Sequence, residues 1–201
     1  MSRIPSWVKV LTAAALTVGL AVLLGLKVGQ AVGAGKARAT EERRADARDQ
    51  ATAAFVEEFE CVNIGDTLPD HEFEDLQRNT VMLSDLLRQP RTLLVFYLPG
   101  CTDCVTEFEQ LGQTLDNERD WSCFILVSPG NPRLAEDERD EYGLICPILY
   151  DHRAAFTRNE LRIHAFPFNV LVDQNRTVID ITVGPLDRSD FLKIISSNSE
   201  A

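Results

Sequence analysis

Two cysteines three residues apart, Cys101 and Cys104, carry the chemistry most legible in this chain. They lie in Thr92-Leu-Leu-Val-Phe-Tyr-Leu-Pro-Gly-Cys-Thr-Asp-Cys-Val-Thr-Glu-Phe108. A C-x-x-C pair can exchange electrons as dithiol and disulfide, close an inert structural disulfide, or supply half of a zinc site. The surroundings favour redox chemistry. Residues 92–98 form a continuous β-favouring apolar run, as expected of a strand covered on both faces. Pro99-Gly100 breaks it, and Phe108, Leu111 and Leu115 then recur at helical spacing. Cys101 thus falls where free backbone N–H groups and the positive end of a helix dipole favour a thiolate, the nucleophile of disulfide exchange. Cys104 follows one turn later, placed to resolve a mixed disulfide. Zinc would need two further ligands, and Cys61, His71, Cys123, Cys146, His152 and His164 all stand as isolated singles. No metal and no other cofactor is expected.

The elements that must position this pair read as a single α/β unit. Ile64-Gly-Asp-Thr-Leu-Pro69 is turn-rich, and 73–76 and 81–83 flank Asn79 as a hairpin. Ser84-Asp85 opens a short helix through Leu87. Strands are expected over 92–98, 122–127 and 145–149. Helices are expected from Val105, over 132–142 and over 154–161. A hairpin of 166–172 with 177–182 and a closing helix from Asp187 through Ile195 complete an α/β domain with a mixed sheet.

Composition and charge bound the rest. With 45% hydrophobic and 25% charged residues, the chain has the makeup of a globular protein. Residues 1–60 hold eight basic and seven acidic residues, and 61–201 hold twelve and twenty-four. A folded part this acidic argues against nucleic acid as a partner. Five cysteines cannot all pair internally. Cys123 and Cys146 fall in apolar strand segments and read as core thiols, whereas Cys61 is expected to be free or to pair between molecules. His71 and His152 read as surface residues, and His164 precedes Pro167 by three.

Residues 10–28 carry a single charge, Lys27, and with Lys9 and Lys27 snorkelling they are long enough to span a bilayer. A cleaved signal peptide is the alternative, since small residues follow at 32–34. Basic residues stand on both sides of the span; the short tail favours an exported C-terminal part. The expected organisation is a tail over 1–9, an anchor over 10–28, a charged helical linker over 29–60 and a domain over 61–199. The linker reads as a solvated spacer, with a brief coiled coil as the alternative.

In this order, four segments resemble the membrane-anchored thioredoxin-like proteins of the TlpA/ResA type. They are Ile64–Pro69 with Leu83–Leu86, Phe96–Phe108, Pro147–Asp151 and Ile163–Asp173. The resemblance covers about 62 to 197 and implies a thioredoxin-like fold, a central mixed sheet flanked by helices, preceded by a transmembrane helix. It implies a redox-active disulfide between Cys101 and Cys104, with Glu107 as a proton-handling acid. It also implies a cis Pro167 that turns the backbone of Phe166 towards Cys101, and a peptide-binding role for Phe166, Pro167 and Gly100. Protein disulfides of exported proteins would be the substrates, and a membrane thiol–disulfide protein the electron donor. The whole would be a single-pass cell-membrane protein with its redox domain exported. Asp103 places a negative charge between the cysteines, which opposes the thiolate and favours a reductant or isomerase over a strong oxidant.

The chain departs from the family pattern in three places. Gly100 stands where an aromatic residue is usual, Val95 where thioredoxins bury an acid, and Arg176 in a turn that commonly holds Gly. Two other functions stay open. Pro99-Gly-Cys-Thr102 resembles the peroxidatic motif of one peroxiredoxin branch, which would imply a thiol peroxidase, although Leu98 replaces its activating Thr and Pro167 stands where an Arg is common. A non-catalytic redoxin-like binding or assembly subunit is the other.

Overall fold

The computed structural model describes residues 38–115 and 118–199; the proposed anchor at 10–28 lies outside them. Among the described residues no helix is long and apolar enough to cross a membrane. The chain divides into two units, Met1–Ala47 and Arg48–Ala201. Of the first, residues 38–47 are helical.

In the second unit, residues 48–59 form helix α1. Then come β1 (Glu72–Asp75), β2 (Thr80–Met82), α2 (Leu83–Leu86), β3 (Arg91–Phe96), α3 (Thr102–Thr114) and α4 (Glu118–Trp121). β4 (Phe124–Ser128), α5 (Pro132–Tyr142), β5 (Ile148–Tyr150), β6 (Phe168–Asp173), β7 (Val178–Val183) and α6 (Arg188–Ser199) complete the order. The seven strands form one sheet in the order β2-β1-β5-β4-β3-β6-β7. β3 lies parallel to β4 and antiparallel to β6, so the sheet is mixed as expected.

The apolar run of β3 explains its central position. Every residue from Thr92 to Tyr97 is buried, and alternate side chains enter opposite cores. Leu94 and Phe96 join one core with Phe73, Leu83 and Phe156, while Leu93, Val95 and Tyr97 join the other with Phe108, Leu111 and Phe191. α5 has the bounds its sequence dictates. Asn131 caps its first turn by accepting the Arg133 N–H at 3.0 Å, Pro132 starts it, and Gly143 ends it in the left-handed region.

Three expectations need correction. Residues 154–161 are not an α-helix but a 3-10 turn, His152–Ala154, followed by a wide π-type turn, Ala155–Glu160. Arg153 and Ala154 take positive φ values of 58° and 55°. The buried Asp151 carboxylate then accepts the Phe156 and Thr157 N–H groups at 2.9 and 2.6 Å, closing the turn on a side chain instead of an α ladder.

The second correction concerns the solvated-spacer reading of residues 48–59. Helix α1, assigned to the spacer, belongs to the folded unit: Thr52 and Val56 are buried, and Thr52 Oγ1 accepts the Val183 N–H of edge strand β7 at 3.2 Å. Arg48 grips Asp190 of α6 through two hydrogen bonds of 2.7 and 3.0 Å. Short apolar stripes acquire meaning only from the surface that receives them. Thirdly, strand ends shift: β3 stops at Phe96, β4 begins at Phe124, and β5 is confined to Ile148–Tyr150.

Candidate active site

The turn that carries Cys101 follows from Pro99 and Gly100. The Cys101 N–H donates to Leu98 O at 3.0 Å, and Gly100 adopts φ +83°, the pattern of a type II turn with Pro second and Gly third. Any other L residue at 100 would be strained there, which accounts for glycine where an aromatic residue was expected. The turn is packed from the neighbouring loop. A Cβ at Gly130 would lie 2.5 Å from Pro99 Cδ, so only glycine permits that approach.

Cys101 is the N-cap of α3, with its Sγ accepting the Cys104 N–H at 3.4 Å. Its thiol also faces Phe166 O at 3.8 Å. That carbonyl precedes the cis Phe166–Pro167 bond, so the structure brings together Cys101, Cys104, Gly100, Phe166 and Pro167. Cys101 is half-buried and Cys104 is only 1% exposed. All five cysteines are free thiols. Burial pushes the Cys104 thiol well above the ordinary range, and the Cys101 sulfur and the Glu107 carboxyl push it further. One thiol is thus presented and the other withheld. Asp103 is exposed in the first turn of α3, where water screens its charge.

Glu107 is wholly buried. It shares the inner face of α3 with Cys104, Phe108 and Leu111, at the spacing of three and four residues that places side chains together. Oε1 accepts the Leu186 N–H at 3.3 Å, while Oε2 has no hydrogen-bond partner among the described residues. Burial raises its pKa to about 8, against the pull of the Leu186 N–H and the Asn169 side chain. Asn169 stands on β6 directly opposite Val95. The position thioredoxins fill with an acid is therefore apolar here, and a carboxyl from α3 meets an amide from β6 beside it. Asn169 was missed in the sequence, although a lone amide inside Phe168–Val172 was a signal.

Glu138 of α5 was missed too. Its Oε1 accepts the Gly100 N–H at 2.7 Å. The remaining candidates lie apart from this arrangement. Cys61 is buried with its thiol 3.0 Å from Arg162 O, which removes it from ready pairing between molecules. Cys123 and Cys146 are core thiols, with burial raising their pKa values to about 11 and about 12. His71 is not a plain surface residue: it packs on Phe73 and Phe156 at 4.8 and 4.9 Å and pairs with Glu160. His152 and His164 are exposed, the latter beside Phe59. Arg176 takes φ +67°, which explains why glycine suits that turn; its Nε donates to Leu68 O at 3.0 Å.

A half-exposed thiol at a helix N-terminus, a buried thiol one turn on and a cis-proline loop facing them, on a mixed sheet, define the thioredoxin-like α/β class. The Redoxin family profile matches residues 63–195, and the chain belongs to that family. Among solved structures, the fold is similar to the thioredoxin domain of a thiol-disulfide oxidoreductase from Bacteroides vulgatus. That match has a TM-score of 0.56 at 20% identity, covering 68% of this chain and 97% of that one. A secreted thiol-disulfide isomerase from Corynebacterium glutamicum gives 0.56 at 18%, covering 70% and 91%. A peroxidoxin from Mycobacterium tuberculosis gives 0.55 at 16%, covering 69% and 97%. At these identities the likeness establishes the fold alone. No curated protein matches the chain in sequence.

Proposed function

We propose that the chain is a thiol–disulfide oxidoreductase that reduces disulfides of exported proteins through Cys101 and Cys104. The observation that carries this reading is the asymmetry of the pair: Cys101 half-exposed at the α3 N-cap against the Phe166 carbonyl, Cys104 buried behind it. Cys101 thiolate attacks one sulfur of the substrate disulfide, forms a mixed disulfide and expels the other substrate sulfur as a thiolate, which takes a proton from water. Cys104 then gives up its proton and attacks Cys101 Sγ, releasing the second substrate thiol and leaving a Cys101–Cys104 disulfide. The substrate gains two electrons and the pair loses two.

Glu107 takes the Cys104 proton. With its pKa raised to about 8, the carboxyl, one turn along the same buried face, accepts that proton in its ionised form, whose share grows as pH rises towards 8. Phe166, Pro167 and Gly100 line the approach to Cys101 and receive the substrate peptide. In this reading residues 10–28 anchor the chain in the cell membrane with the redox domain exported, and a membrane thiol–disulfide protein returns the electrons. The length and apolarity of that segment and the family resemblance support this placement.

The test is the reduction potential of the Cys101/Cys104 couple in the full chain, with a parallel hydrogen peroxide turnover assay. A potential near or below about −270 mV without peroxide turnover is expected. A value near about −120 mV would make the chain an oxidant. Rapid peroxide turnover would transfer the site to the peroxidase reading, and a pair that never cycles would leave a binding subunit.

A further inference from the structure

Gly100 donates its backbone N–H to a side chain from another helix. The hydrogen bond of 2.7 Å to Glu138 Oε1 ties the residue immediately before Cys101 to helix α5. In a type II turn the central peptide is flipped relative to type I, so its N–H and C=O exchange directions. With Gly100 at φ +83° the N–H of that peptide meets the carboxylate. The flipped alternative would bring a carbonyl oxygen to the same carboxylate and be repelled. Glu138 thus selects one of two turn conformations, and only glycine takes the selected one without strain.

The Glu138 side chain is half-buried. Ala135, one turn earlier on α5, is buried, which puts Glu138 on the inner side of the helix. Its second oxygen, Oε2, is buried, as is the Tyr97 hydroxyl at the end of β3. The Glu138 charge acts on that hydroxyl, adding to the upward push that burial gives it. The loop between β4 and α5 closes the cluster. Ser128 Oγ accepts the Gly130 N–H at 3.2 Å, and Gly130 abuts Pro99. The turn before the nucleophile is therefore held twice, by Pro99 against Gly130 and by Gly100 on Glu138.

The geometry points to Glu138 as a positioning residue for the Cys101/Cys104 pair: by fixing the Gly100 peptide it keeps Cys101 at the α3 N-cap, where Cys104 reaches it. This rests on the thiol–disulfide reading above. Glu138 itself touches no reacting sulfur. It acts through the backbone of Gly100, and its importance lies in the proximity it preserves between two thiols that must meet in line.

Three variants of the full chain test it: Glu138→Ala, Glu138→Gln, whose amide oxygen still accepts the Gly100 N–H, and Glu141→Gln as an exposed carboxylate on the same helix. Each is converted to the glutathione mixed disulfide at Cys101, and glutathione release by Cys104 is timed. Glu138→Ala is expected to slow release about tenfold, while Glu138→Gln stays within about threefold of the parent and Glu141→Gln matches it. Amide exchange of Gly100 is read in parallel: protected in the parent and in Glu138→Gln, and about tenfold faster in Glu138→Ala. Release at the parent rate in Glu138→Ala overturns the proposal, as does an unprotected Gly100 in the parent. Equal slowing in both Glu138 variants also overturns it, since charge and not the hydrogen bond would then matter. A parent that never releases glutathione brings down the oxidoreductase reading itself, and this role with it.

Discussion

Replacing Glu107 by glutamine should have an effect on stability that grows as pH rises. In the folded chain the carboxyl has a pKa of about 8, against an ordinary value of 4.5, because it is sealed between α3 and the sheet. Between those two values the folded chain holds a proton that the unfolded chain has released. Stability is therefore fully present below about pH 4.5 and is lost as pH rises to about 8. At about 1.4 kcal/mol per pH unit the loss is roughly 3 kcal/mol by pH 7 and roughly 5 kcal/mol by pH 9. Glu107→Gln removes the proton and keeps the shape. Urea unfolding of parent and variant, followed by circular dichroism at each pH, cancels the other titrating groups, which the two chains share. The two should lie within about 1 kcal/mol at pH 4, with the variant gaining about 1.4 kcal/mol per pH unit above pH 5. A gap that stays flat from pH 5 to pH 8 would refute the burial of this carboxyl and, with it, Glu107 as the proton acceptor.

Other expectations concern the pair and the elements that hold it. Cys104→Ser should trap a mixed disulfide at Cys101, and its remaining thiol should react with an aromatic disulfide reagent on the order of 100-fold faster than Cys104 does in Cys101→Ser. Equal rates would remove the asymmetry on which the mechanism stands. Arg48→Ala should lower stability by about 2 kcal/mol, since it strips two charge-assisted hydrogen bonds from Asp190 and leaves that carboxylate largely buried. Burial works against ionisation of Asp190, but Arg48 and the Asp187 N–H outweigh it and hold its pKa below the usual range. The Arg48 contribution is accordingly present at neutral pH and lost as pH falls through that lowered value, so the two chains should converge in acid unfolding curves. Gly100→Ala should cost about 1 kcal/mol in urea unfolding, through backbone strain at φ +83° alone, because no atom lies within 4 Å of the added Cβ. An unchanged midpoint would contradict the turn geometry.

The legible parts of the molecule were those specified within a few residues. The apolar run of β3, the Pro99–Gly100 break and the helical spacing after Cys104 are local, so strand, turn and helix could be read in order. The same holds for α5, where Asn131, Pro132 and Gly143 mark both ends. The parts that could not be read depend on a distant partner. The turn over 152–160 is closed by the buried Asp151 carboxylate, and Asp151 in the sequence looks like any loop acid. Glu107 was singled out, but its burial was not foreseen, because a lone acid on a helix is usually solvated. The spacing 104, 107, 108 and 111 nevertheless puts it on the inner face. Glu138 repeats the lesson at 135 and 138 on α5. A carboxyl's role depended each time on the helix face it occupies and on the peptide or side chain across from it.

The closing of edge strand β7 separates two boundaries that are easily taken as one. The Val183 N–H is met by Thr52 from α1, and both backbone groups of Val178 are met by Gly65 and Asp66. The family match begins at residue 63, so homology and mechanical completeness do not coincide in this chain. A fragment cut at the family limit would keep every residue of the redox pair, yet it would lack the helix that seals one flank of the sheet. Bare strand edges recruit strands from other molecules. Helix α1 thus covers the Val183 end of this edge, and that cover comes from residues that precede the family match.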